Sequence, residues 1–333
     1  MLALGTYFVG LCIGVASFKL DGVAFGLTLL TGWVMTVNGA RRMISTVAHQ
    51  CVHAAFSGDK RFDMAFAEVF AVLTQTQTAA DYRREHFELH HRHDVFSTID
   101  DPSAKLLWKA GFRAGASTKR LWWNLLLTTV SVRFHGAFLR RRITSQMRGA
   151  MTWQRVGAAL VMLMLLTGLV SQLSLHAVML GAVFPVVVLY QNSVLLEFIS
   201  EHAWFVEPSG LGRKKYIHAT HSWGRFCGRS APKRQGGSAV RYGLDWMRWV
   251  MEHLAYHLPV RLVILPGDLS QHDFHHRRPA TPCWTTAAYA REEDVRNCDE
   301  RWPSYTEFWG LHHAISHVFD GIASSKRERS GMD

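Results

Sequence analysis

The chain has 333 residues, enough for one large domain or two ordinary ones, and a formal net charge of +11. Its 19 histidines far outnumber its 5 cysteines. The cysteines (Cys12, Cys51, Cys227, Cys283 and Cys298) are scattered without a C-x-x-C pair, which argues against a zinc ribbon, a rubredoxin-type iron centre, a thioredoxin-like motif or a disulfide framework and fits a reducing compartment.

Residues 1–18 and 22–40 contain no charged side chain. They predict two membrane spans, about 2–18 and 22–40, forming one hairpin broken at "KLDG". A basic leader region is missing and a second apolar run follows at once, so a signal peptide is not expected. The second helix is expected to continue out of the membrane through "RRMISTVAHQCVH" and to stop at Gly58-Asp59. Residues 64–80 are apolar but include Glu68, Thr74, Thr76 and Thr78, and predict a helix at the interface. "DYRREHFELHHRHDVF" predicts a cytoplasmic helix. Between Trp108 and Met147, Trp and Leu alternate with Arg runs, the pattern of an amphipathic helix on a membrane surface.

A longer uncharged stretch follows Arg155 and predicts spans at about 156–173 and 177–199, turning near "SQLSLH". Residues 205–245 read as loops, "LDWMRWVMEHLAYHLP" as a helix ending before Pro259, and "SSKRERSGMD" as a frayed tail. The two short turns between spans hold a single basic residue, Lys19. By the positive-inside rule, residues 41–152, residues 200–333 and both termini should face the cytoplasm, with a bacterial inner membrane as the expected location. The expected fold is therefore all-α: one domain over residues 1–333, four transmembrane helices and a cytoplasmic helical cap.

The histidines gather at the predicted membrane boundary. His49 and His53 are spaced i, i+4, as are His86 and His90, with His91 beside them. His272 and His275 are i, i+3, with His276 adjacent, and His202 follows the last span. Imidazole suits iron, zinc, copper and nickel. Nine of them on four segments exceed the needs of one tetrahedral zinc and would fill the coordination of two ions. A histidine-rich pair of irons can activate dioxygen, and just above a bilayer it could reach an acyl chain.

The three boxes HQCVH, HFELHH and HDFHH, split by a helical hairpin, resemble those of the integral-membrane fatty acid desaturase and hydroxylase superfamily, and "SEHAWF" is similar to its extra histidine after the last span. The resemblance covers about residues 20–280. It implies a non-haem diiron, O2-dependent enzyme, with His49, His53, His86, His90, His91, His202, His272, His275 and His276 as metal ligands and catalytic residues. It also implies a fatty acyl or other lipid substrate and an external electron donor, a ferredoxin or similar protein with its reductase. Desaturation is the expected reaction, with hydroxylation of an alkane, fatty acid or other lipid as the alternative and metal transport as a distant one. "EHAWF" and "HSW" also resemble the alkane-hydroxylase branch, although that branch has six spans rather than four.

Other residues have plainer readings. His93, His218, His221, His253 and His257 are expected on the surface or behind the ligands, although His253 and His257 are rivals to His202. His312, His313 and His317 are expected on a structural or exposed helix. Glu85, Asp94, Glu201 and Asp273 could orient imidazoles as acceptors. Gln191 and Asn192, polar within a span, could hold a metal-bound water or a helix–helix hydrogen bond. No H-E-x-x-H, Gly-rich nucleotide loop or His-Pro-Gly-Gly occurs, so a zinc protease, a nucleotide enzyme and a fused cytochrome b5 are not expected. The basic charge is assigned to anionic lipid or an acidic donor rather than to nucleic acid.

Overall fold

In a computed structural model describing residues 2–149, 152–207, 216–234, 238–279, 281–297, 300 and 302–325, the first two apolar runs form a helical hairpin. Three helices among the described residues are long and apolar enough to cross a membrane: Leu2–Lys19, Gly22–Val52 and Leu175–Glu201. The expected span at 156–173 falls on the helix Thr152–Gln172. Several of its side chains, at 163, 165–167 and 169–171, lie outside the described residues, as do Cys298 and most of the predicted tail.

The three spans meet backbone to backbone. A β-carbon on Gly14 would overlap the carbonyl of Gly181, and one on Gly32 would overlap the main chain of Gly14. Small residues allow this approach, which matters in lipid because tails offer no hydrophobic drive for helices to associate. Arg41 and Glu197 form a buried ion pair between the second and third of these helices, and Asn38 Nδ2 donates to the Leu262 carbonyl at 2.6 Å. Gln191 and Asn192 turn out to be helix fasteners: Gln191 Oε1 lies 2.8 Å from His135 Nδ1, and Asn192 Nδ2 donates to the Thr129 carbonyl at 3.0 Å.

Outside the spans, shorter helices make a cap. Lys60–Thr74 is capped by Asp59, whose carboxylate accepts from the backbone N–H of Arg61 and Phe62. The stretch expected to be one amphipathic helix is two, Thr118–Thr129 and Val132–Gln146, because the Ser131 side chain caps the second one. The first buries Leu121 and Leu125 in the cap core and exposes Trp123, Leu126 and Val130.

Two expectations are corrected. The second helix ends at His53, where Ala54 turns left-handed with φ 55°, short of Gly58. The helix beginning at Ala239 runs through Pro259 to Ile264. Proline removes an N–H and crowds the preceding turn. Here π-helical windings on either side, His253–His257 and Val260–Ile264, widen the helix and relieve that crowding. The fold is mostly helical, as expected, with one small addition: Gly224–Phe226 and Glu307–Trp309 pair as parallel strands of three residues.

Candidate metal centre

Each histidine box begins with the winding of its own helix. His49 and His53 end the Gly22–Val52 helix, below a π-helical stretch at Arg42–Ala48. His86–His90 is itself π-helical, and the His91 N–H closes onto the His86 carbonyl at 2.8 Å, five residues back. That winding, with more than four residues per turn, brings residues i, i+4 and i+5 to one side. An α-helix would swing His91 away. His272, His275 and His276 share a face of the helix His272–Arg277.

These segments converge. The ligand nitrogens of His49, His53, His86 and His275 all lie within 4.8 Å of one another, and so do those of His90, His202, His272 and His276. His91 joins through His86, their Nε2 atoms 3.0 Å apart. All nine histidines named from the sequence are thus in one place. His218, read as peripheral, is there too, grouped with His91 and His276. His253 and His257 are elsewhere: His257 Nδ1 accepts from the Gly228 N–H at 3.0 Å, and the ring of His253 stacks on Trp249. His202 is therefore the one that reaches the cluster. His312, on the helix Leu311–Ser324, bonds the Tyr256 hydroxyl.

Hydrogen bonding does not account for the packing. His86 Nε2 has three imidazole nitrogens around it, from His49 at 3.1 Å, His53 at 2.8 Å and His91 at 3.0 Å. One imidazole nitrogen offers a single hydrogen or a single lone pair, so it satisfies at most one of the three. Two nitrogens bound at right angles to one ion, each about 2.1 Å from it, would lie about 3.0 Å apart. His202 Nε2, His275 Nε2 and His276 Nδ1 are buried without a hydrogen-bond partner, a costly state unless something else engages them. Burial, then the charges of neighbouring imidazoles, hold His86, His91, His202, His272, His275 and His276 well below the usual imidazole range. Burial and Arg83 push His53 down to about 4. Neutral imidazoles with free lone pairs are the form that binds a metal, so this donor set fits a pair of divalent ions such as iron.

The residues expected to orient the imidazoles need correction. Asp273 turns away and takes Arg291, which donates from Nε to Oδ1 at 3.0 Å and from Nη2 to Oδ2 at 2.8 Å. Asp94 pairs with exposed Arg92, and Glu85 with Arg141. Glu201 does approach, its Oε2 3.9 Å from His272 Nε2. The clearest orienting residue is one the sequence reading missed. Asp101 Oδ2 lies 2.9 Å from His90 Nδ1, and Oδ1 accepts from the Ser103 N–H at 2.9 Å. The bond fixes the His90 tautomer and turns Nε2 toward the cluster. The signal was the Asp-Pro pair that opens the helix Pro102–Lys109, a capping signature rather than a site signature. Ser222 plays a similar part, its hydroxyl 3.0 Å from His202 Nδ1.

Arg225 ties the boxes together from the first strand. Its guanidinium donates to the Glu197 carbonyl at 3.0 Å, the Ser200 hydroxyl at 2.9 Å and the Leu269 carbonyl at 3.0 Å. It therefore joins the end of the third span to the turn that starts the last box. Beside the cluster a cavity of about 200 Å³ touches His49, His86, His90 and His272. Ile44, Ala48, Ala71, Phe138 and Val194 line much of the rest. The family model described as fatty acid desaturase matches residues 25–309, most of the chain, and no curated protein matches it.

Proposed function

Because the chain belongs to the fatty acid desaturase family, we propose that it introduces a double bond into a fatty acyl chain with dioxygen. In this reading His49, His53, His86, His90, His91, His202, His272, His275 and His276 hold two irons. The observation that supports it most is the meeting of two groups of buried or half-buried histidines with a largely apolar cavity. The bound irons would supply dioxygen reduction and the power to remove hydrogen from an unactivated methylene. Overall, one O2, two electrons from an external donor, two protons and the two hydrogens of the substrate give an alkene and two waters.

The protein's own part is placement. A chain that comes from lipid gains little from apolar burial itself, so the shape of the cavity and the length of chain beyond the histidines set which carbons stop beside His49 and His86. Ile44, Ala48 and Val194 keep water from the cavity wall, and Asp101 and Ser222 keep His90 and His202 in their working tautomers. The substrate arrives as a membrane-borne acyl ester, the redox partner docks from the basic cytoplasmic side, and the whole of residues 1–333 acts as one domain in a bacterial inner membrane.

Lipid analysis of a host expressing the wild type beside His275→Ala tests the reading. New unsaturation, a loss of two mass units, is expected with the wild type and absent from the variant. A gain of sixteen mass units would instead assign hydroxylation to the same site. Metal flux in proteoliposomes without oxygen consumption would replace both with transport.

A further inference from the structure

His218 has a buried Nε2 with no hydrogen-bond partner. Its ring packs against His276, with centroids 5.3 Å apart and planes within 12°, and against Phe96 at 4.4 Å. The one-turn helix Ile217–Thr220 carries the residue, and Ile217 packs on Phe96 in a small core of its own. The position is thus built, with the ring packed against His276 and Phe96, which also touch each other. His221, three residues on, spends its Nδ1 on the Ile217 carbonyl at 2.9 Å.

We propose that His218 is a tenth metal-binding histidine of this centre, its Nε2 sharing a cation with His91 and His276, whose ligand nitrogens lie within 4.8 Å of it. The proposal rests on the dimetal reading above and adds a donor from a segment that none of the histidine boxes contains. Ordinary core packing would explain the stack on Phe96 and His276. It would not explain an Nε2 left buried and unpaired beside two more imidazoles.

The test uses the full-length protein in detergent. His218→Phe keeps the ring and its stacking but removes both nitrogens, and His221→Phe is the control. The wild type is expected to hold about two irons per chain, and His218→Phe to lose iron to a chelator at least tenfold faster than wild type, with unchanged helix content. Release within twofold of wild type from a folded His218→Phe protein overturns the proposal. Should that variant fold poorly, cobalt-loaded His218→Cys supplies a second measurement. A thiolate-to-cobalt charge-transfer band above the wild-type baseline supports direct contact, and a spectrum without it counts against. If the wild type binds neither iron nor cobalt, the dimetal reading falls and takes this one with it. If the wild type binds two metals and the variants match it, only the role of His218 falls.

Discussion

Asp101 shows how a single carboxylate governs this centre. Buried, it accepts from the backbone of its own helix while fixing the His90 ring. In Asp101→Asn the side chain can present its amide instead of an acceptor, so metal affinity is expected to fall about 10–100-fold, read as iron content after dialysis against a chelator. Asp268 makes a different prediction. Its Oδ2 accepts from Gln50 Nε2 at 2.8 Å while Oδ1 is buried without a partner, and burial pushes the carboxyl up to about 6. A carboxyl held above its unfolded value of about 3.9 binds its proton more tightly in the native state. Its contribution therefore favours the fold as pH drops from about 6 toward 4 and is lost as pH rises through 6. Asp268→Asn should flatten that part of the thermal midpoint's pH profile; a difference from wild type that stays constant across pH 4–7 would assign the dependence to other groups. The eight boxed histidines were legible because imidazole is rare at i, i+3 and i+4 on several segments at once, and His202 because it follows the last apolar run. Asp101 and Ser222 were not, since each meets the cluster only through tertiary contact; His218 has an i, i+3 partner in His221, but that spacing did not show which of the two turns inward.

At the scale of the element, the windings between and within the boxes matter as much as the residues. Arg42–Ala48 is π-helical just before His49. Removing one residue there, Val47 for example, restores α-helical register and rotates His49 and His53 by about 100° around the axis. The variant should still insert into membranes yet bind iron at least ~10-fold more weakly; wild-type iron content would show that the register is not needed. The pairing of Asp273 with Arg291 acts on the last box. Arg291→Ala leaves a buried carboxylate beside His272 without its partner, a change that costs about 3–5 kcal/mol in stability, measurable as a drop in the thermal midpoint. Helix periodicity located the segments well, but it assumes 3.6 residues per turn. It therefore gave His91 a flanking place and stopped a helix at Pro259. The paired strands were invisible because three residues are too few to show alternation.

For the whole molecule, the absence of charge over long runs was enough to read a membrane protein, and three of the expected spans have counterparts among the described helices. The cavity was not readable, since Ile44, Ala71 and Val194 come from three separate segments. It gives the prediction that belongs to this scale. Ala71→Phe narrows the cavity and should shift preference toward shorter acyl chains by about tenfold in relative kcat/KM, assayed with chains of graded length. An unchanged preference would place the acyl chain elsewhere.

The helix Gly22–Val52 has 31 residues, so it measures roughly 46 Å at 1.5 Å per residue. That exceeds a hydrocarbon core of about 30 Å, and His49 sits near its far end. Lipid anchor and ligand arm are thus one rod. When bilayer thickness changes and the rod tilts to match, its outer end swings with it, carrying His49 relative to the membrane surface. Membrane thickness and reach of the reactive site are geared together by a single shaft.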